Sequence, residues 1–318
     1  MNVAVDARHL GAGRGVALYT SELLAALERL FPETAFLRRP RRARVAYASA
    51  ALLGRPRLGG ADVAWLPAPA PVAVGVPYVL TVHDVSWLER PGDFTPYERL
   101  WHRLGRLERL AERARVVVAV SETTRRAIAE RWPRVGRVEV VHSGIPALPP
   151  PGPRPAWLPP RYVLFVGALE PRKAPGALLD ARVEGVDVVF AGSGRLAPRL
   201  RGDGVHLVKD ADRPTLATLY AHALALALPS HTEGFGFTAL EAARAGVPVI
   251  TTPLPVVEET LGEAALRTED LRDAIARVAS DDALRARLAA AGRERAARFD
   301  WDATARRMHA LLAEAAGR

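Results

Sequence analysis

Short, nearly unbroken apolar runs recur along most of this chain, each followed by a longer amphipathic stretch, and that alternation narrows the available folds more than any other feature. A strand buried on both faces reads as a continuous apolar run, so the rhythm predicts βα units building parallel sheets. In the first half, strands are expected at Val3–Asp6, Val63–Leu66, Tyr78–Val82, Val116–Val120 and Val138–Val141. Helices are expected over Val16–Leu30, Tyr97–Arg113 and Glu122–Trp132. The proline-rich segment Ala147–Pro160 sustains neither helix nor sheet and reads as a stiff linker. The same rhythm then restarts with strands at Tyr162–Val166, Val188–Ala191, Val205–Val208, Ala225–Leu228 and Val247–Thr251. At 318 residues the chain has room for two domains. The expectation is an α/β protein with a first Rossmann-like domain over 1–150, a second over 151–300, and a helical tail over 301–318.

Composition removes whole classes of chemistry. There is no cysteine, so disulfides, thiolate nucleophiles and Cys-ligated metals are excluded. The N-terminal segment lacks the basic and apolar regions of a secretory signal, and the apolar runs fall far short of the ~20 residues that span a bilayer. A cytoplasmic protein, at most peripheral on a membrane, is expected. The formal charge of +9 sits wholly on residues 1–155, while 156–318 are neutral overall. The first half therefore suits an anionic partner. Among 44 basic residues only Lys173 and Lys209 are lysines, which makes both conspicuous.

Three segments can carry chemistry. Gly11–Gly15, between the first strand and its helix, is either a phosphate cradle at a helix N-terminus or a flexible turn; it does not fit the G-x-G-x-x-G dinucleotide spacing. Gly167 to Lys173 follows the first strand of the second half, where open α/β sheets bind ligands. Its Arg172 and Lys173 either neutralise a diphosphate or form a solvated pair. The third is His-Thr-Glu-Gly-Phe-Gly-Phe, residues 231–237, leading into a helix expected over Phe237–Ala245. Glu233 lies in its loop and Glu241 about one turn inside the helix. Carboxylates accept well from sugar and ribose hydroxyls, although two glutamates at this spacing are more often unrelated surface charges.

Glu233-x7-Glu241 in the frame HTEGFGFTALEAARAGVPVI, with Arg-Lys-Ala-Pro upstream, an N-terminal glycine loop and Val-His-Asp after an early strand, resembles the family-4 retaining glycosyltransferases of group 1. The resemblance implies the GT-B fold: two Rossmann-like domains with parallel sheets facing across a cleft, an acceptor-binding first domain, a nucleotide-sugar-binding second one, and a C-terminal helix returning to the first. It implies that Glu233 contacts hydroxyls of the donor sugar, that Glu241 holds the nucleotide ribose, and that Arg172 and Lys173 bind the diphosphate. Gly167 and the backbone of Gly234, Phe235, Gly236 and Phe237 would line the same donor site. Val208 and Lys209 would seat the base, Gly13 and Gly15 would close over the diphosphate, and His83 would stand near the reacting sugar carbon. No metal and no cofactor beyond the donor is implied. At 318 residues the chain is short for that family, and the stretch between Phe31 and Asp62 suggests a trimmed acceptor domain.

The implied activity is retaining transfer of a hexose from GDP-mannose or a UDP-hexose to a carbohydrate or lipid-linked acceptor. The arginines at 38, 39, 41, 42, 44, 55 and 57 are expected to face an anionic acceptor or membrane, and nucleic acid is not the expected partner. Two other readings stay open on the sequence: a non-catalytic anion-binding protein of the same fold, and an epimerase acting on the nucleotide sugar alone.

Overall fold

Each apolar run that reads as a strand forms one, and the pairings between these strands are all parallel among the described residues, which are 1–8, 10, 15–39 and 58–318 of this computed structural model. The first sheet contains β1 (Asn2–Asp6), β2 (Ala35–Arg39), β3 (Val63–Leu66), β4 (Tyr78–Val82), β5 (Val116–Ala119) and β6 (Val138–Val140), in the order β2-β1-β3-β4-β5-β6. The second contains β7 (Tyr162–Val166), β8 (Asp187–Ala191), β9 (Val205–Val208), β10 (Ala225–Leu228), β11 (Val249–Thr251) and β12 (Ala265–Arg267), in the order β12-β11-β10-β7-β8-β9. The central strands β3, β4, β5, β7 and β10 are buried along their whole length, as sheets covered on both faces require.

Two strands carry no sequence signal. β2 follows Pro32 and reads Ala-Phe-Leu-Arg-Arg, with only Phe36 buried; as an edge strand it needs no continuous apolar run. β12, three residues at the opposite kind of edge, is equally short of signal. The single helix expected over Tyr97–Arg113 is two, Pro96–Leu104 and Leu107–Glu112, because Arg106, just after Gly105, is left-handed at φ 46°. Thr95 and Glu98 cap the first of them reciprocally: Glu98 Oε2 accepts from the Thr95 N–H at 2.8 Å and Thr95 Oγ1 from the Glu98 N–H at 3.2 Å.

The chain divides into two units, Met1–Gly144 with Phe299–Arg318, and Ile145–Arg298. The proline-rich segment lies in the second: Leu158 is buried and the Gly152 N–H donates to Thr218 Oγ1 at 3.0 Å. In the first unit, the helix Trp301–Ala315 buries Trp301, Thr304, Ala305, Met308, Leu311, Leu312 and Ala315, a helical stripe. It packs on the helix Gly15–Leu30, with Trp301 edge-on to Tyr19 at 5.8 Å and Phe31 stacked on His309 at 3.7 Å. Gly144 is wedged there: a Cβ on it would lie 2.4 Å from the Trp301 ring. The core of the second unit gathers Phe165, Phe190, Ile250, Ile275, Val278 and Leu288 between its sheet and the helices Leu271–Ser280 and Asp282–Ala296.

Candidate functional site

In both sheets the strand order reverses once, between β1 and β3 and between β7 and β10. Two neighbouring strands whose following connections leave in opposite directions open a crevice at their carboxyl ends, the position where such sheets bind ligands. In the second unit the loops after β7 and β10 carry the two most specific segments of the sequence.

After β7, the chain passes Gly167 at φ 148° and turns through the short helical segment Pro171–Lys173 to Ala174, left-handed at φ 44°. This path needs a neighbour with no side chain. A Cβ on Gly192 would lie 1.9 Å from the Gly167 carbonyl oxygen, and one on Gly194 would lie 2.5 Å from that of Leu169. The loop after β10 then meets it: the His231 N–H donates to the Arg172 carbonyl at 2.9 Å, and Lys173 Nζ pairs with Glu233 Oε1. Ser230, itself buried, donates its hydroxyl to the same oxygen at 2.8 Å, and Thr252 holds the Ser230 carbonyl at 2.6 Å. The side chains of Lys173 and Glu233 are only 13% and 8% exposed. Arg172, Lys173 and Glu233 are thus assembled by backbone and side chain at one crevice.

Past Glu233, Gly236 takes φ 78° and starts the helix Phe237–Ala245 without a side-chain cap, so the partial positive charge of its N-terminus faces the loop of Gly234 and Phe235. Phe235 is buried edge-on against Phe237 at 5.1 Å. Glu241 lies on the buried side of this helix, 6% exposed in its side chain, where Arg213 Nη1 donates to its Oε1 at 2.6 Å. The buried Tyr220 hydroxyl stands in the same group; burial, then the Glu241 charge, raises its pKa well above the ordinary phenol value. Val208 ends the edge strand β9 and Lys209 follows it, separated from β7 by β8, so they do not join the Lys173–Glu233 group.

Of the expected site residues, Gly15 and His83 lie in the first unit. Gly15 opens the helix that follows β1; Gly13 lies outside the described residues, as do the arginines at 41, 42, 44, 55 and 57. Arg38 is paired with Glu28 at 2.7 Å, and Arg39 ends β2 beside Asp6. His83 follows β4, with its ring edge-on to Tyr19 at 4.7 Å and Nε2 at 2.8 Å from the Pro67 carbonyl. A carbonyl only accepts, so Nε2 carries the hydrogen of that bond, and in the neutral ring the lone pair is on Nδ1. Burial of Tyr19 pushes its own ionisation far above the usual range, so it stays a neutral support. Among the described residues, no three His, Asp or Glu side chains converge as a metal site requires, and no helix is long and apolar enough to cross a membrane.

Sequence reasoning missed Gly192, Gly194, Arg213 and Tyr220. The Gly-x-Gly after β8 was a legible signal of close backbone approach; Arg213, one of many arginines, offered none.

Two family models match the chain. The one described as glycosyl transferases group 1 matches residues 156–295, and the one described as glycosyltransferase family 4 matches residues 16–147. Over 264 residues the chain is 31% identical to the D-inositol 3-phosphate glycosyltransferase of Mycobacterium avium (strain 104), covering 72% of this chain and 62% of that protein. The chain spans about three-fifths of the length of the curated relatives it matches. Among solved structures, sucrose-phosphate synthase from Thermosynechococcus elongatus superposes with a TM-score of 0.73 at 19% identity, covering 99% of this chain and 98% of that one. HepE from Anabaena in complex with UDP-glucose superposes with a TM-score of 0.70 at 16% identity, covering 98% and 99%.

Proposed function

Because the chain belongs to the group 1 glycosyltransferases and has their GT-B fold, we propose that it transfers a hexose from a nucleotide diphosphate sugar, GDP-mannose or a UDP-hexose, to a carbohydrate or lipid-linked acceptor. The observation that carries this reading is the meeting of Lys173, Glu233 and Ser230 where β7 and β10 diverge. A diphosphate is bound by cations and a sugar by carboxylates, and here one of each is held at one crevice. An ammonium has three N–H donors, so Lys173 can keep Glu233 in place and also hold a phosphate oxygen. The solved neighbour that holds UDP-glucose supports the donor class.

In the proposed reaction the bond between the anomeric carbon and the diphosphate oxygen breaks while the acceptor oxygen bonds to that carbon on the same face. The acceptor hydroxyl's proton passes to the leaving phosphate, so no side chain is assigned as base. Negative charge grows on the diphosphate as the bond lengthens. Arg172, Lys173 and the N-terminus of helix Phe237–Ala245 are assigned to meet it, and preorganised donors commonly lower a barrier by roughly 3 kcal/mol apiece. Glu233 holds sugar hydroxyls, Glu241 the ribose, and His83 is assigned to the reacting carbon's surroundings. The charge supplied by protein groups leaves no step that requires a metal.

The acceptor reading rests on the basic first half and on the relatives. The name of the Mycobacterium avium protein points to a phosphorylated cyclitol as one acceptor to try. Tyr97 and Leu100, 73% and 55% exposed on the helix Pro96–Leu104 beside Arg99 and Arg103, support contact with anionic lipid at the cytoplasmic face. Salt-insensitive failure to float with phosphatidylglycerol vesicles would remove that part.

The test of the main reading is a thermal-shift panel of GDP, UDP, ADP and dTDP, followed by turnover of the matching sugar donors with and without EDTA. One nucleotide at ~100 times its Kd should stabilise the protein by about 2.7 kcal/mol. Transfer should survive EDTA, give a product of unchanged anomeric configuration, and fall severely in Glu233→Ala. Donor conversion without acceptor would instead mark an epimerase, and salt-dependent anion binding with no turnover a non-catalytic protein.

A further inference from the structure

Arg213 has a place in the second unit that neither its residue type nor its position in the sequence explains. It is the first residue of the helix Arg213–His222, whose N-cap Asp212 accepts from the Thr215 N–H at 2.9 Å. A cation at a helix N-terminus opposes the helix dipole, so something else must hold it there. The guanidinium reaches in two directions. Nη1 donates to Glu241 Oε1 at 2.6 Å, and Nη2 donates to the Ala147 carbonyl at 3.1 Å. Arg244, three residues past Glu241 on the same helix, donates to the neighbouring Ile145 carbonyl at 2.5 Å. Glu241 is therefore fixed from a different helix by a group that is itself anchored on the segment where the chain enters the second unit.

We propose that Arg213 is a positioning residue for the nucleotide ribose: it keeps Glu241 aimed, so that the carboxylate can accept from the ribose hydroxyls. This rests on the reading of Glu241 as the ribose ligand. A carboxylate with so little exposure and no cation tends to take up a proton or turn away, and either change removes an acceptor. Arg213 Nη1 takes one of the roughly four acceptor positions of the carboxylate. Its own side chain stays one-third exposed, while the group it serves is almost out of water.

The consequence is selectivity for ribose over 2′-deoxyribose, a readout that a merely structural arginine would not move. Calorimetric Kd values are measured for UDP against 2′-deoxy-UDP and for GDP against 2′-deoxy-GDP in the full chain. The wild type should prefer the ribonucleotide roughly 10-fold, the worth of one hydrogen bond to a charged group. Arg213→Ala should bring that preference to about one with the unfolding transition still cooperative, and Arg213→Lys should restore part of it. In turnover, the alanine variant should raise the donor KM with kcat changed far less. Glu241→Gln separates the two layers. If the wild type shows no preference with either base, the ribose reading of Glu241 fails and this proposal with it. If the wild type prefers ribose and Glu241→Gln abolishes the preference while Arg213→Ala retains it, the ribose reading stands and the role of Arg213 is overturned. Should Arg213→Ala fail to fold, Arg213→Lys decides: an unaltered preference together with an unaltered response in Arg213→Gln overturns the proposal.

Discussion

Lys173 and Glu233 are each nearly out of water, and each is the principal compensation for the other's lost hydration. Removing one partner of such a pair costs about 3 kcal/mol because the survivor is left unpaired, whereas removing both costs much less. Glu233→Gln and Lys173→Met should each reduce transfer ~100-fold or more, and urea unfolding should show the double variant losing less stability than the two single losses combined. Additivity within about 0.5 kcal/mol would mean that the pair is no stability unit. Glu233 and Glu241 were legible through the resemblance of the motif that holds them, HTEGFGFTALE, and not through their spacing alone. Their partners were not: Lys173 is sixty residues from Glu233 in the chain, and only the order of β7 and β10 makes them neighbours.

At the scale of elements, the crevice depends on two loops passing at backbone contact. Gly192 has φ 155°, and a side chain there would meet the Gly167 carbonyl, which cannot swing aside as a flexible side chain can. Gly192→Ala should lower stability by more than about 2 kcal/mol and weaken nucleotide binding, since the Arg172–Lys173 turn begins from that contact. Gly136→Ala is the matched control: its site is open and its φ ordinary, so denaturant midpoints should be almost unchanged. Helices were legible where a cap or a stripe marks them, as in Phe237–Ala245, which Gly236 opens and Gly246 closes in left-handed conformations. The break at Arg106 was not, because a left-handed arginine leaves no trace in the hydrophobic pattern.

At the scale of the whole molecule, stability should depend on pH through the first unit. His102 and His309 both have pKa values lowered by burial. The folded state therefore binds fewer protons than the unfolded state near the ordinary histidine pKa of about 6.5, so the stability present above that pH declines as pH falls through it. The tryptophans at 65, 87, 132 and 301 belong to this unit and report its melting. The fluorescence melting temperature should drop between pH 7.5 and 5.5, with a shallower slope in His309→Gln; an identical slope would show that His309 does not contribute. The alternation of apolar runs by itself determined the α/β class, the central strands and the βα rhythm, because a parallel strand buried on both faces has almost no other way to be written. It also placed Arg172, Lys173 and Glu233 in loops that follow strands, and Glu241 in the helix after one of them. Only the tertiary structure decided that β2 and β12 complete the sheets as edges and that Arg213 fixes Glu241. Those are contacts between segments far apart in the chain, and no local pattern of residues encodes which distant partner each will meet.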